Sequence, residues 1–225
     1  MGGTSRCTFA AHSQPRGTAV RIVIPLFDRF TALDAVGPYE VLRFLPEAEI
    51  VFAATKPGPI RDVPTSLALT ADAAFDDIDA CDVLLVPGGP GTRRLLDDDA
   101  LLGWIRRMHG GTTWTASVCT GSLLLGAAGL LAGLSATTHW GAVDVLESFG
   151  ATYTAERVVF QGKIVTAAGV SSGIDMALAL AARIIDQTTA EAIQLAIEYD
   201  PQPPFDAGSP AKAPQAAKDL LARGL

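Results

Sequence analysis

The chain has 225 residues and a formal net charge of −7 at neutral pH, which argues against nucleic acid or an anionic membrane surface as its main partner. Hydrophobic residues make up 49% of it and charged residues only 18%. The usual charged share is about 25%, so this composition excludes a disordered chain and implies an extensive buried core. Three cysteines are too few for a disulfide framework, and we expect a cytoplasmic protein.

Neither a secretory signal nor a membrane span is predicted. Residues 1–17 lack the apolar core of a secretory signal, so we predict a mobile N-terminal extension followed by one domain over residues 18–225. Residues 108–143 carry no Asp, Glu, Lys or Arg, but Thr, Ser and Gly interrupt them throughout. We therefore predict a strand, a turn and a helix buried at the middle of a sheet, rather than a membrane span.

Short β-branched apolar runs alternate with segments of helical periodicity along the chain. This alternation predicts a single α/β domain in which a mostly parallel, flavodoxin-like sheet is flanked by helices. The predicted strands are 20–26, 49–53, 67–70, 82–86, 112–118 and 135–138, followed by a hairpin of 158–160 and 163–165 that turns at Gln161-Gly162.

The predicted helices fill the intervals between these strands. They are 33–44, with Asp34 and Pro38 near its start, 101–109, 120–130, 141–149, 174–185, and a helix to about residue 198 that a Thr188/Glu191 capping box opens. Residues 199–214 hold five prolines and cannot continue as helix. A short helix over 215–223 is expected to pack on the body or on a second subunit.

The most informative local pattern is Ser117-Val118-Cys119-Thr120-Gly121, where a buried strand ends and a helix begins at once. A cysteine here occupies the serine position of a nucleophile elbow. The helix N-terminus is expected to lower the thiol pKa and make Cys119 reactive. The alternative is a cysteine that only packs, as we expect of Cys81; Cys7 lies in the extension.

A nucleophile that adds to a polar multiple bond needs donors for the charge that develops. The backbone around Thr120 and the Gly88-Gly89-Pro90-Gly91 loop are the candidates. The loop lacks the spacing of a phosphate-binding G-x-G-x-x-G motif and has no lysine nearby, which disfavours a nucleotide site. A tight turn without a function stays open.

Several motifs together resemble a known family. The segments 87–89, 117–122 and 136–140 are similar to the PfpI-type superfamily, which has a class I glutamine-amidotransferase-like fold. Segments 33–38, 173–178 and 198–210 are similar to the isonitrile (isocyanide) hydratases within it. The resemblance extends from about Val20 to the last residue.

The resemblance implies a set of site residues. Cys119 corresponds to the nucleophile, Asp34 to the catalytic carboxylate and Thr120 to an assisting hydroxyl. Gly89 and the Thr120 N–H are expected to form the anion-stabilising pocket, and Val170 to line it. We expect a raised pKa for Asp34 beside a thiol in a poorly hydrated pocket. A plain helix N-cap is the alternative role for this residue.

The activity implied is hydration of a small organic isocyanide to an N-substituted formamide through a cysteine thioimidate. It needs no metal or organic cofactor, and the resemblance implies a homodimer. His139 is the obvious alternative base by composition, but we interpret it as a structural histidine. His109 and His12 are expected to be solvated.

Two other functions stay open. Sensor domains of AraC-type regulators carry similar Cys-Thr-Gly-Ser and Thr-Thr-His-Trp segments, so a cofactor-free ligand or redox sensor is an alternative. The acidic balance disfavours direct DNA binding. A cysteine hydrolase of amides or α-dicarbonyl adducts is disfavoured, because the protease and deglycase branches have histidine where Thr120 stands.

Overall fold

The computed structural model describes residues 19–62 and 67–223. The strands in these ranges are β1 (Arg21–Pro25), β2 (Glu49–Ala54), β3 (Gly58–Arg61), β4 (Ala68–Ala71), β5 (Ala73–Ala74), β6 (Val83–Val86), β7 (Trp114–Val118), β8 (Ser135–Ala136), β9 (Thr152–Tyr153), β10 (Val158–Gln161) and β11 (Ile164–Ala167). The α-helices are α1 (Ala32–Leu42), α2 (Asp99–Gly111), α3 (Gly121–Ala127), α4 (Val143–Ser148), α5 (Ser172–Ile184), α6 (Gln187–Ala196) and α7 (Gln215–Ala222).

Seven strands form the central sheet, in the order β10-β11-β7-β6-β1-β2-β5. All neighbours in it are parallel except β10 and β11, which form an antiparallel hairpin at one edge. The middle strand of the seven, β6, is buried along its whole length. Such strands read as continuous apolar runs because helices cover both faces of a parallel sheet.

The helices form two packed groups that flank the sheet. Helix α5 packs against α1 and α6, while α3 packs against α2 and α4. The α1–α5 contact is close where Gly173 faces the ring of Pro38, since a Cβ on Gly173 would lie 3.1 Å from Pro38 Cγ. This packing holds the middle of α1 and the N-terminal end of α5 near the carboxyl end of β7, whose Val118 also contacts Gly173.

The predicted α/β alternation, the mostly parallel central sheet and the strand, turn and helix within 108–143 are confirmed. Two details were wrong. The hairpin turns at Gly162-Lys163, one residue later than expected, because Gly162 takes the positive φ of 58° that the turn requires. Pro38 lies well inside α1 rather than near its start. The predicted strand after residue 67 is present as β4, which pairs with β3 in a separate antiparallel hairpin.

Two predictions about polar groups were also wrong. Helix α6 begins at Gln187, and its cap is Asp186, whose carboxylate accepts a hydrogen bond from Thr189 N at 2.7 Å. Because this earlier start takes Thr188 inside the first turn of the helix, the expected Thr188 capping box does not form. His109 is not simply solvated, since its Nδ1 lies 2.8 Å from Thr115 Oγ1.

The N-terminal extension, with Cys7 and His12, lies outside the described residues, so its boundary stays a prediction. No helix in the described ranges is long and apolar enough to cross a membrane. The proline-rich segment after Tyr199 contains no helix until α7, as predicted.

Candidate active site

Cys119 lies in the turn between β7 and α3. Its φ angle is 57°, in the left-handed region that a non-glycine residue adopts at a cost of about 1–3 kcal/mol. Its N–H donates to the carbonyls of Ala167 and Ala168 at 3.1 and 2.9 Å, and its carbonyl accepts from Ser122 Oγ and Thr138 Oγ1, both at 3.1 Å. These bonds hold the strained backbone and set the direction of the thiol.

The turn is tight because α3 starts directly against the neighbouring strand. A Cβ on Gly121 would lie 2.1 Å from the Val86 carbonyl oxygen, so any side chain there would displace the helix. The cysteine residue is 5% exposed. This is the backbone geometry expected of a nucleophile elbow.

Asp34 lies in the first turn of α1 and is fully buried. It is not the N-cap of that helix: the cap is Thr31, and Asp34 Oδ2 instead accepts a hydrogen bond from Gly88 N at 2.9 Å. Asp34 Oδ1 has no hydrogen-bond partner among the described residues. A buried carboxyl oxygen without a partner is costly, and it is available to a proton, a substrate atom or water.

Gly88 is the point where three parts of the site meet. A Cβ on this residue would lie 2.5 Å from Thr120 N, 2.7 Å from Thr120 Oγ1 and 2.9 Å from Asp34 Oδ2. Only glycine allows the loop after β6 to fit between the carboxylate and the start of α3. The sequence indicates that this loop lies near the site, but no pattern in it indicates the packing role of Gly88.

The Cys119 thiol and the Asp34 carboxyl affect each other's protonation. Burial raises the pKa of Asp34 from 3.8 to about 7, while the Gly88 N–H and the thiol partly offset this. Burial and the negative charge of Asp34 raise the pKa of the Cys119 thiol to about 12. Asp34 Oδ1 has no hydrogen-bond partner of good geometry among the described residues, so the carboxyl acts on the thiol mainly through its charge.

The raised Asp34 pKa agrees with the sequence-based expectation, whereas the lowered thiol pKa was wrong. The donors predicted to stabilise a thiolate are present, since the Thr120 and Val170 backbone and the Thr120 side chain all lower the pKa of Cys119. Desolvation and the Asp34 charge outweigh them. The resting cysteine is therefore a thiol that needs a base.

Thr120 has its hydroxyl held in a small network. Its Oγ1 accepts from Gly89 N at 2.8 Å, and Thr92 Oγ1 lies 3.2 Å away while donating to the Gly89 carbonyl at 2.8 Å. The Gly89 N–H is thus occupied by the threonine and is not a free anion donor, which corrects the predicted role of Gly89. Thr92 was missed because no sequence motif marks it.

The remaining candidates also have positions near this centre. Val170 is half-buried in the loop before α5, and its backbone interacts with the cysteine sulfur. His139 is half-buried, and its Nδ1 accepts from Gly141 N at 3.2 Å. Burial and the charge of Arg93 lower the pKa of His139. This local bond agrees with a structural histidine.

A cavity of about 530 Å³ borders the site. On the body it is lined by Thr120, His139 and Trp140, and on its outer side by Leu221 and other residues of α7. Cys119 does not line this cavity, but it is adjacent in the chain to Thr120, which does. The size falls within the usual range for small-molecule sites, about 300–1,000 Å³.

Comparison with known proteins places this arrangement in a family. Residues 20–183 match the DJ-1/PfpI family. The protein belongs to this family. Among solved structures, a ThiJ/PfpI family protein from Pseudomonas syringae is 38% identical with a TM-score of 0.88, and the similarity covers 92% of this chain and 86% of that one.

Two curated relatives bear on function within the DJ-1/PfpI family. The isonitrile hydratase of Pseudomonas putida is 43% identical over 201 residues, covering 89% of this chain and 88% of its own length. The HTH-type transcriptional regulator CdhR of Pseudomonas aeruginosa is 29% identical over 147 residues, which is 64% of this chain but only 41% of the regulator.

Proposed function

We propose that this DJ-1/PfpI protein is an isonitrile hydratase, which adds water to an organic isocyanide to give an N-substituted formamide. The observation that carries this proposal is the 43% identity to the Pseudomonas putida enzyme over most of both chains. The contact between Asp34 and Cys119 supplies a mechanism, with the cavity beside Thr120 as the route of the substrate.

The first step forms a covalent bond to sulfur. The Asp34 carboxylate takes the thiol proton of Cys119 and delivers it to the terminal carbon of R–N≡C, while the thiolate adds to the same carbon. The product is the thioimidate R–N=CH–S–Cys119. A carboxyl group with a pKa near 7 suits this role, because it accepts and releases a proton at similar cost near neutral pH.

The second step is hydrolysis. Asp34, again a carboxylate, takes a proton from water as the hydroxide adds to the thioimidate carbon, and passes that proton to nitrogen. The tetrahedral intermediate R–NH–CH(OH)–S–Cys119 then collapses: the C–S bond breaks, the hydroxyl proton returns to sulfur through Asp34, and R–NH–CHO leaves. The two side chains and water balance the reaction, so the proposal includes no metal or organic cofactor.

The surrounding residues support these steps. Thr120 stabilises the thiolate through its N–H and hydroxyl, and the Val170 backbone does so from the opposite loop. Gly89 contributes by holding the Thr120 hydroxyl. His139 takes no part in the proposed proton transfers.

The proposal is tested by offering purified, reduced protein several alkyl and aryl isocyanides and measuring formamide by chromatography. We expect turnover by the wild-type protein, no turnover by Cys119→Ala and strongly reduced turnover by Asp34→Asn. Cys81→Ala is the matched control, since Cys81 is a buried cysteine that precedes β6, at the end of that strand opposite to the Gly88 loop. Absence of formamide from intact wild-type protein across all substrates would overturn the proposal.

The second candidate is a freestanding sensor, favoured by the 29% identity to part of a transcriptional regulator. A redox sensor requires Cys119 to oxidise well before Cys81 when peroxide is titrated and oxidation is mapped by mass spectrometry. A thiol pKa of about 12 favours slow oxidation, because the thiolate is the reactive form.

We also propose a cytoplasmic homodimer. The odd number of cysteines supports a reducing compartment. Exposed apolar side chains support self-association, notably Leu195 and Phe205, each 78% exposed. Light scattering on the purified protein tests this, and a monomer at micromolar concentration would contradict it.

A further inference from the structure

The wall of the cavity beside Thr120 is positively charged. Arg93, from the 3-10 turn at Pro90–Arg94, and Lys218, from α7, both line it. Neither forms an ion pair with another described residue. Two cations that no described carboxylate neutralises in an ion pair therefore face one small space.

The other ionisable groups of this wall do not cancel that charge. Asp219 is its one carboxylate among the described lining residues, and it accepts a hydrogen bond from Gln215 Nε2 at 2.7 Å. His139 tends to the neutral form, because burial and Arg93 lower its pKa. The wall carries two positive charges and one negative charge in a chain whose net charge is −7.

The wall also has an apolar part. Trp140 and Leu221 line it, and they are 46% and 51% exposed. An isocyanide is linear, so a substrate whose terminal carbon reaches Cys119 extends its substituent away from the sulfur. Thr120, the residue next to Cys119, lines this cavity, so a substituent that passes Thr120 would contact Trp140 and Leu221 with its hydrocarbon part and reach the cations with its far end.

We propose that the preferred substrates are isocyanides whose substituent carries a carboxylate, which Arg93 and Lys218 bind together. This inference rests on the proposed hydratase function and specifies its substrate class. A planar guanidinium matches a carboxylate with two parallel hydrogen bonds, and the ammonium adds a second charge-assisted contact. Trp140 provides a flat surface suited to an aromatic or extended linker between the two ends.

The experiment compares 4-isocyanobenzoate with its methyl ester. The two substrates have the same isocyanide, ring and position of substitution, and differ in the charge at the far end. For the wild-type protein we expect kcat/KM to be at least about fivefold higher for the acid, mainly through a lower KM, because the charge is remote from the reacting carbon. Raising the salt concentration to about 1 M is expected to reduce this preference, since screening then acts over about 3 Å.

Variants of Arg93 and Lys218 test whether these two cations cause the preference for the acid over the ester. Arg93→Gln and Lys218→Gln are each expected to lower the acid-to-ester ratio of kcat/KM about threefold or more, and Asp219→Asn to raise it. Arg94→Gln is the matched control: Arg94 is exposed in the same 3-10 turn but does not line the cavity, so its ratio is expected to equal that of the wild-type protein. Circular dichroism and melting curves establish that each variant is folded.

The outcomes separate this inference from the proposed function. Equal use of acid and ester by the wild-type protein, or a ratio unchanged in both cation variants, overturns the carboxylate preference and leaves the hydratase intact. Failure to hydrate either substrate, or any neutral isocyanide, overturns the hydratase and the inference with it. A preference for the acid that Arg93→Gln and Lys218→Gln both reduce supports the inference.

Discussion

The Asp34 carboxyl and the Cys119 thiol act on each other in opposite directions: the thiol lowers the pKa of the carboxyl, and the carboxylate raises the pKa of the thiol. Both effects place the mobile proton on sulfur while Asp34 is ionised. Because burial holds the pKa of Asp34 at about 7, the carboxylate can take up that proton as the sulfur forms its bond to the substrate. The pair thus stores one proton and titrates as a unit.

The first prediction concerns Asp34→Asn, which is expected to separate thiol reactivity from catalysis. Removing the negative charge lowers the pKa of Cys119, so alkylation by iodoacetamide at pH 8 becomes faster. Hydration of isocyanide falls by roughly 10²–10⁴, because no group remains to carry the proton. Alkylation rates and formamide production measured on one preparation check both effects. Slower alkylation would contradict the proposed contact.

The second prediction concerns stability against pH. The folded pKa of Asp34 lies above its unfolded value, so the folded state binds this proton more tightly. Ionisation of Asp34 consequently destabilises the wild-type protein as pH rises from about 4 through about 7. Asn cannot ionise, so Asp34→Asn is expected to gain more than about 1 kcal/mol of unfolding free energy relative to wild type between pH 4 and pH 8. Urea denaturation at both values measures this gain.

A third prediction concerns the Thr120 hydroxyl. Thr120→Val leaves the Gly89 N–H without its acceptor and removes a donor to the sulfur, so we expect a loss of about 1–3 kcal/mol in stability. We also expect a fall of roughly tenfold in kcat, because the thiolate loses a charge-assisted hydrogen bond. Thr120→Ser keeps the hydroxyl and is expected to restore most of both. Full activity in Thr120→Val would exclude an assisting role.

A fourth prediction concerns the close approach at Gly88. Gly88→Ala introduces a Cβ 2.5 Å from Thr120 N, so the loop must move away from Asp34 and α3. We expect a destabilisation of about 1–3 kcal/mol from overpacking and a large loss of activity. Gly110→Ala is the control, because a Cβ there meets nothing within 4 Å and alanine favours the helix. Melting temperatures and formamide assays compare the two variants.

The sequence predicts the architecture well, because the order of strands and helices follows from local hydrophobic periodicity. The continuous apolar runs of the central strands and the small residues around Cys119 are sufficient for the sheet and the turn. The capping of α6 was missed because Asp186 and Thr188 are both suitable N-cap residues, and the position at which the helix begins decides between them. The strand after residue 67 was predicted, but its pairing with β3 outside the central sheet was not, because pairing partners are not encoded locally.

The chemistry of the site was less predictable. Asp34 was found only through the resemblance to a family, because no spacing in the chain links it to Cys119. The thiol pKa was wrong because the helix N-terminus is a local feature, whereas burial and the Asp34 charge arise from tertiary packing. The partner of the Gly89 N–H also depends on how two loops meet, and no motif indicates it.

The most direct test of covalent catalysis is intact-protein mass spectrometry on samples quenched during turnover of an aryl isocyanide. We predict an adduct equal to the mass of the isocyanide, located on the peptide that contains Cys119, lost as formamide accumulates and absent from Cys119→Ala. Formamide production by Cys119→Ala at the wild-type rate would contradict covalent catalysis by this cysteine.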